Sequence, residues 1–209
     1  MKELTERQKR RRAGILAAAR TLIAERGYDG VTMRDLAARS DVALKTLYQQ
    51  YDSKENLLSK AVEELHTEVY DSIQLVEKNT GIEKLLYIVE QVFTQTIEND
   101  AYAKTMAPIM ARGSSTALVE TRTAVYRQAV QQIVADDGFV DGVDANKVLN
   151  ILLRQWSGIY LEWANSSTPS ELVPQTVQLQ MCLVLSSLTK GKTQQVVQKT
   201  IMALMPELV

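Results

Sequence analysis

Apolar positions recur along this chain with helical rather than strand spacing. Ile15, Leu16, Ala19, Leu22 and Ile23 follow i, i+1, i+4, i+7, i+8 and predict an amphipathic helix. Arg26 and Gly27 end it, because glycine takes a left-handed C′ conformation without penalty. Ahead of it, Lys2, Arg7, Lys9, Arg10, Arg11 and Arg12 have little beside them to bury, so Lys2 to Arg12 reads as a basic arm running into the helix, suited to phosphates or a minor groove. Two short helices follow. Thr32, with Asp35 three residues on, makes a T-x-x-D variant of the capping box and sets a helix start, with Leu36 and Ala37 as its apolar side. Ser40, Asp41 and Val42 break the pattern before a second run opens near Ala43. There Leu47 and Tyr51 lie four apart on one face, while Lys45, Thr46, Gln49 and Gln50 put donors and acceptors on the others. A short helix of that kind is what a major groove admits. Ser53 can cap a fourth helix, apolar at Leu57, Leu58, Ala61, Val62 and Leu65, which runs past His66 to about Glu77.

Beyond residue 80 the helices lengthen. Thr80 to Glu83 is a T-x-x-E capping box for a helix to about Asn99, and Asp100 caps a piece that Pro108 should kink or interrupt. After a loop over Arg112 to Ser115, an amphipathic helix spans roughly Thr116 to Ala135. The aspartates and glycines from Asp136 to Asp144 lack calcium-loop spacing, since Lys147 stands where a bidentate glutamate would be needed, and Asp144 is more simply a helix cap. Ala145 to Asn165 is apolar on nearly every side. So is the segment opening at Thr168-Pro169-Ser170-Glu171, a capping box with proline at N1. Helices apolar all round must be covered all round, which implies a second copy packed as a four-helix bundle, with burial inside one subunit as the alternative. A charge at Leu152 or Leu183 should then give monomers or aggregates. A final helix from Thr193 to Leu204 closes the chain.

Composition sharpens this picture at three points. Four prolines and nine glycines in 209 residues favour an all-α chain, about nine or ten helices in total. Residues 1–60 hold 13 lysines and arginines against 8 acidic residues, whereas residues 61–209 hold 11 against 17, so a basic head precedes an acidic body and nucleic-acid binding belongs at one end. One histidine and one cysteine, with no glycine-rich phosphate loop, leave nucleophilic, zinc and phosphoryl chemistry without their parts. The expectation is a non-enzymatic binding protein with no cofactor and no metal. No apolar run approaches the length of about 18 residues that a membrane span needs, and no signal segment opens the chain, so a cytoplasmic protein with no membrane partner is expected.

The pattern T-x-x-x-L-A-x-x-x-x-V-x-x-x-T-L-Y-x-x-Y-x-S-K-E-x-L, from Thr32 to Leu57, resembles the helix-turn-helix of the tetracycline-repressor (TetR) family of bacterial transcription regulators. The match covers roughly residues 10 to 60. It departs at Asp41, where the family usually has the turn glycine, and at Ala43, where a serine often caps the recognition helix. The resemblance implies a DNA-binding domain over residues 1–60 and a helical ligand-binding and dimerisation domain over 61–209. It further implies a homodimeric repressor released from a palindromic double-stranded operator by a small-molecule effector. A ligand-binding helical protein whose head no longer binds DNA is the alternative. The candidate DNA-facing residues are Thr32, Arg34, Leu44, Lys45, Thr46, Tyr48, Gln49, Gln50 and Lys54, with Tyr48, Gln50 and Lys54 on phosphates. The pocket implied for the second domain draws on Phe93, Ile97, Met106, Met110 and Tyr126. Trp156, Tyr160 and Trp163 join them at i, i+4 and i+7, and the set suits a largely apolar or aromatic ligand.

Overall fold

The structure is a computed structural model and describes residues 5–112, 116–165 and 169–208, the side chains at 108–112, 116–118, 207 and 208 excepted. Among the described residues the fold is all-α: ten helices, one 3₁₀ turn and no strand. The helices are α1 Glu6–Arg26, α2 Met33–Arg39, α3 Leu44–Tyr51, α4 Lys54–Gln74, α5 Gly81–Glu98, α6 Asp100–Arg112, α7 Thr116–Ala135, α8 Ala145–Asn165, α9 Val173–Leu185 and α10 Gly191–Leu208. Residue contacts gather the chain into two compact units, one of Met1–Leu65 with Asn99–Ser115, the other of His66–Glu98 with Thr116–Val209.

In the first unit, Ile15, Leu16, Ala19, Leu22 and Ile23 of α1 are buried, as the spacing predicts. They share a core with Met33, Leu36 and Ala37 of α2, Leu47 and Tyr51 of α3, and Leu57, Leu58, Ala61 and Val62 of α4. Each fully buried aliphatic chain contributes about 1.5–3 kcal/mol. Thr32 and Asp35 form the capping box in full, the Asp35 carboxylate accepting from the Thr32 backbone N–H at 2.8 Å. Asp41 takes φ 52°, so an aspartate does occupy the left-handed turn between the two short helices. Ala43 gives α3 no side-chain cap. Gly27 ends α1 at φ 70° and ψ 175°, a region that glycine almost alone adopts, rather than in the expected left-handed helical well.

Two expectations need correction here, and a third is untested. The basic arm is helical from Glu6, because Thr5 and Gln8 make a capping box at the start of α1; Lys2 lies outside the described residues. The sixth helix runs from Asp100 to Arg112 through Pro108 without interruption. It packs on α1 and buries Tyr102, Ala103, Met106 and Ala107, so burial over its first two turns outweighs the backbone donor lost at the proline. The loop expected over Arg112 to Ser115 falls mostly outside the described residues.

The second unit is built around α5, which packs on α7, α9 and α10. Its Thr80–Glu83 capping box is present, and Gly81 lies so close to the α7 backbone at Ala129 and Ile133 that a Cβ has no room. The aspartates of the loop after α7 are held by the protein itself. Asp136 accepts from the Gly81 N–H at 2.8 Å, Asp137 and Asp141 meet Lys190 at 2.9 and 3.2 Å, and Asp144 caps α8 through the N–H groups of Asn146 and Lys147.

The apolar character of α8 is largely spent inside the subunit. Val148, Leu149, Leu152, Trp156, Ile159, Tyr160 and Trp163 form one buried face, while Ile151 on the other side is 47% exposed. Leu152 is fully buried and Leu183 is 45% exposed, so only the second of these two leucines belongs to a surface that another copy could cover. The helix expected from Thr168 begins instead at Val173 with Pro174 in its first turn, after a 3₁₀ turn over Ser170–Leu172; Thr168 lies outside the described residues. Helix α10 starts at Gly191 and reaches Leu208, longer at both ends than its apolar pattern.

Candidate functional site

The outer surface of the two short helices is defined by what its side chains do not do. Arg34 on α2 and Lys45, Tyr48, Gln49 and Gln50 on α3 are exposed, and Leu44 and Thr46 are half-buried. The side chains of Arg34, Lys45, Thr46, Tyr48, Gln49 and Gln50 make no hydrogen bond or ion pair among the described residues. Tyr48 keeps 48% of its surface in solvent, while Leu47 and Tyr51 on the opposite face of the same eight-residue helix are buried.

The neighbouring cations behave differently. Arg39 pairs with Glu25 at 2.9 Å, Arg26 with Asp35 at 3.4 Å and Arg12 with Glu64 at 3.6 Å, so these three position helices within the unit. Arg7, Arg10 and Arg11 in the first turns of α1 have no acidic partner among the described residues. Cationic and hydrogen-bonding groups left uncommitted along one short helix and the start of another match the needs of a phosphate backbone flanking a groove.

Two of the nine candidates are occupied within the protein. The Thr32 hydroxyl serves the α2 cap, donating to and accepting from Asp35. Lys54 donates to the Tyr28 carbonyl at 2.9 Å and lies 4.0 Å over the Tyr28 ring, whose hydroxyl donates to Glu55 at 2.6 Å. Burial and the Glu55 carboxylate push the Tyr28 hydroxyl up to about 12. The hydrogen bond from Tyr28 holds the Glu55 carboxyl below the usual carboxylate range, and the Thr32 hydroxyl does the same for Asp35. An ammonium has three donors, so Lys54 retains capacity for an anion at the start of α4.

The candidate ligand residues divide. Phe93, Trp156, Tyr160 and Trp163 form a continuous aromatic row in the second unit. Ring centroids lie 5.8 Å apart for Phe93 and Trp156, 5.3 Å for the stacked pair Trp156 and Tyr160, and 5.6 Å for Tyr160 and Trp163. Tyr126 is fully buried in the same unit and Ile97 is half-buried. Met106 is buried in the first unit, and the side chain of Met110 lies outside the described residues. The Trp163 indole N–H donates to the Ser170 hydroxyl at 3.1 Å and ties α8 to the 3₁₀ turn.

Sequence reasoning missed two members of this neighbourhood, Tyr70 and Arg122. Tyr70, at the end of α4, is fully buried, and the Arg122 guanidinium lies 4.6 Å from the centre of the Trp156 ring. The spacing of Arg122 and Tyr126, i and i+4 on α7, was the available signal. Burial raises the hydroxyls of Tyr70, Tyr126 and Tyr160 above the ordinary phenol range, with the Arg122 charge acting the other way on Tyr70 and Tyr126.

A three-helix core that presents an uncommitted polar helix behind a tight turn defines a helix-turn-helix DNA-binding protein. Residues 15–61 match the model of bacterial regulatory proteins of the tetR family. It is similar to the "HTH-type transcriptional repressor KstR" of Rhodococcus jostii, with 27% identity over 185 residues that cover 85% of this chain and 84% of that protein. Among solved structures it is similar to a TetR transcription regulator from Haloarcula marismortui, with a TM-score of 0.71 and 17% identity over 87% of this chain and 100% of that one. It is also similar to the transcriptional regulator FadR from Bacillus subtilis in complex with stearoyl-CoA, with a TM-score of 0.66 and 19% identity over 81% of this chain and 97% of that one. The proteins matched are transcriptional regulators rather than enzymes, which supports a DNA-binding regulator here. No helix among the described residues is long and apolar enough to cross a membrane.

Proposed function

We propose that the protein is a homodimeric repressor of the cytoplasm that holds a palindromic duplex operator through α2 and α3 and leaves it when a small, largely apolar or aromatic ligand binds the second unit. The observation that carries the DNA part is the set of uncommitted outward side chains, Arg34, Lys45, Tyr48, Gln49 and Gln50, beside Arg12, Arg26 and Arg39, which are paired with acidic residues of the same unit. In this reading Arg34, Lys45 and Thr46 reach bases or phosphates and Leu44 touches a thymine methyl. Tyr48, Gln50 and Lys54 hold phosphates, and Gln49 and Thr32 border the contact.

Two half-sites on successive major grooves, about 34–36 Å apart, require two heads at a fixed spacing, which a dimer supplies. The exposed Ile151 of α8 and Leu183 of α9 support a contact between copies there. The ligand part is supported by the aromatic row of Phe93, Trp156 and Tyr160, and by the stearoyl-CoA held by the similar FadR. A ligand that prefers the released state by about 1–3 kcal/mol weakens operator binding by the same amount.

The test is retardation of a fragment of the protein's own promoter region, with Arg34→Ala and Lys45→Ala as variants. Wild type should retard the fragment with half-saturation in the nanomolar range typical of specific operators, on the order of 10⁻⁸ M or tighter, and both variants should weaken it. Equal retardation of an unrelated fragment, or no loss in either variant, refutes this assignment of the surface.

A further inference from the structure

Six polar atoms of the second unit are buried with no hydrogen-bond partner: the hydroxyls of Tyr70 and Tyr126, Nε of Arg122, Nε1 of Trp156, and the amide oxygens of Gln155 and Gln175. The first four, all able to donate, belong to one neighbourhood. The Arg122 guanidinium lies over the Trp156 ring, its charge acts on both tyrosines, and Tyr70 acts on Tyr126. Tyr70 and Tyr126 are fully buried and Trp156 is 3% exposed. Buried polar groups are paired in folded proteins as a rule, because an orphaned donor forfeits its hydration without return. One orphan is an accident of packing. Three beside a guanidinium whose own Nε is unpaired, with no acidic partner among the described residues, are a group of donors without an acceptor.

The chemistry of the missing acceptor follows from the donor inventory. Arginine Nε–H and indole N–H can only donate, and a phenol can donate while accepting elsewhere, so all four atoms can point protons at one acceptor. A carboxylate offers two oxygens and about four lone-pair sites, together with the negative charge that the guanidinium lacks. A primary amide would turn two N–H groups toward donors. The remaining wall is flat and apolar: Trp156 and Tyr160 stack with 5° between their planes, and Phe93 leans on Trp156 at 54°.

We propose that the second unit binds a carboxylate-headed ligand with a planar apolar body, Arg122, Tyr70, Tyr126 and the Trp156 indole N–H holding the carboxylate and the Phe93, Trp156 and Tyr160 rings holding the body. The inference rests on the ligand-responsive reading above and names the ligand class that reading leaves open. Arg122 is the specificity-determining residue. The tyrosine hydroxyls are maintained for the ligand and not for the fold.

Calorimetric titration with 4-biphenylacetate and with its primary amide tests this, on wild type, Arg122→Gln and the double variant Tyr70→Phe with Tyr126→Phe. In wild type the acid should bind about tenfold to a hundredfold more tightly than the amide, the range expected of hydrogen bonds to a charged partner. Arg122→Gln should abolish that preference while leaving amide affinity in place. The double tyrosine variant should lose acid affinity, yet melt no lower than wild type without ligand, because it removes hydroxyls that have no partner. Equal affinity for acid and amide, an acid preference that survives in Arg122→Gln, or no binding of the acid overturns the inference. A drop in the melting temperature of the double variant overturns it too, since the hydroxyls would then serve the fold. Amide binding without acid preference leaves the ligand-responsive reading standing and removes only the carboxylate. Binding of neither compound, with a lower melting temperature in the double variant, returns these residues to the core and removes the ligand-responsive reading as well.

Discussion

Leu183→Glu should leave the subunit folded and take the proposed dimer apart, whereas Leu152→Glu should prevent folding altogether. The contrast comes from burial: Leu152 is fully buried and Leu183 is 45% exposed. A carboxylate at position 152 would enter the α8 core without a partner, a penalty of several kcal/mol per ion against a total stability of roughly 5–15 kcal/mol. At position 183 the subunit loses little, because substitutions of half-exposed surface residues usually change stability by no more than about 0.5 kcal/mol. The dimer is affected more. Burying a whole leucine is worth about 1.5–3 kcal/mol, nearly half of the Leu183 surface is still open in the single subunit, and two-fold symmetry counts the change twice. That gives a loss of about 1.5–3 kcal/mol before the two carboxylates are desolvated, or a dissociation constant raised by at least tenfold to a hundredfold. Sedimentation equilibrium measures the constant, and circular dichroism establishes that the variant is helical and melts cooperatively. A Leu183→Glu protein with an unchanged dimer constant would refute the placing of α9 in the contact. A stable, folded Leu152→Glu protein would refute the partition of α8 into an inner and an outer side.

The remaining predictions concern single elements. Ala43→Ser supplies the side-chain cap that α3 lacks and should raise stability by about 1 kcal/mol, seen as a higher urea midpoint. Lys45→Ala should weaken binding to every sequence and lower the slope of log affinity against log salt by about 0.9 if Lys45 meets one phosphate; an altered base preference at constant slope would show a base contact instead. Gly81→Ala forces a methyl onto the α7 backbone at Ala129 and Ile133 and should cost about 1–3 kcal/mol in thermal melts, more than the better helix propensity of alanine returns. The Tyr28 phenol is pushed up to about 12, so its stabilising contribution is complete below the unfolded value near 10 and is lost as pH rises through about 12. Glu55, held below the usual carboxylate range, contributes above its unfolded value and loses that contribution as pH falls through the lowered one. Tyr28→Phe should therefore flatten alkaline unfolding and diminish the Glu55 part of the acid limb.

What the sequence made legible was local. Apolar spacing located α1 to α5, and the Thr32 and Thr80 capping boxes stand where the residues placed them, because each depends on partners within three positions. The aspartate turn was legible for the same reason. Errors arose where distant packing decided. The basic arm became helix because Thr5 and Gln8 close a capping box that the surrounding charge concealed, and α6 passes Pro108 while burying its first two turns against α1. The all-round apolar look of α8 belonged mostly to its own subunit. The outward residues of α3 could be read from period alone. The partners of Lys54 could not, since the Tyr28 carbonyl that accepts its hydrogen bond lies 26 positions away. Tyr70 and Arg122 were invisible as a pair for the same reason: 52 residues separate them, and only folding reveals that neither has an ordinary partner.

The assignment of Asn99–Ser115 to the first compact unit has a consequence for how the molecule is made. The chain passes from one unit to the other after Leu65, returns after Glu98 and leaves again after Ser115. A growing polypeptide emerging at about 5–20 residues per second exposes the α1–α3 surface first, but the helix that packs on α1 arrives only after some fifty further residues have been made. The DNA-reading unit is therefore not a segment that can be cut from the amino end of the gene. Its last structural component is encoded within the other unit, and the two must be synthesised together before either is whole.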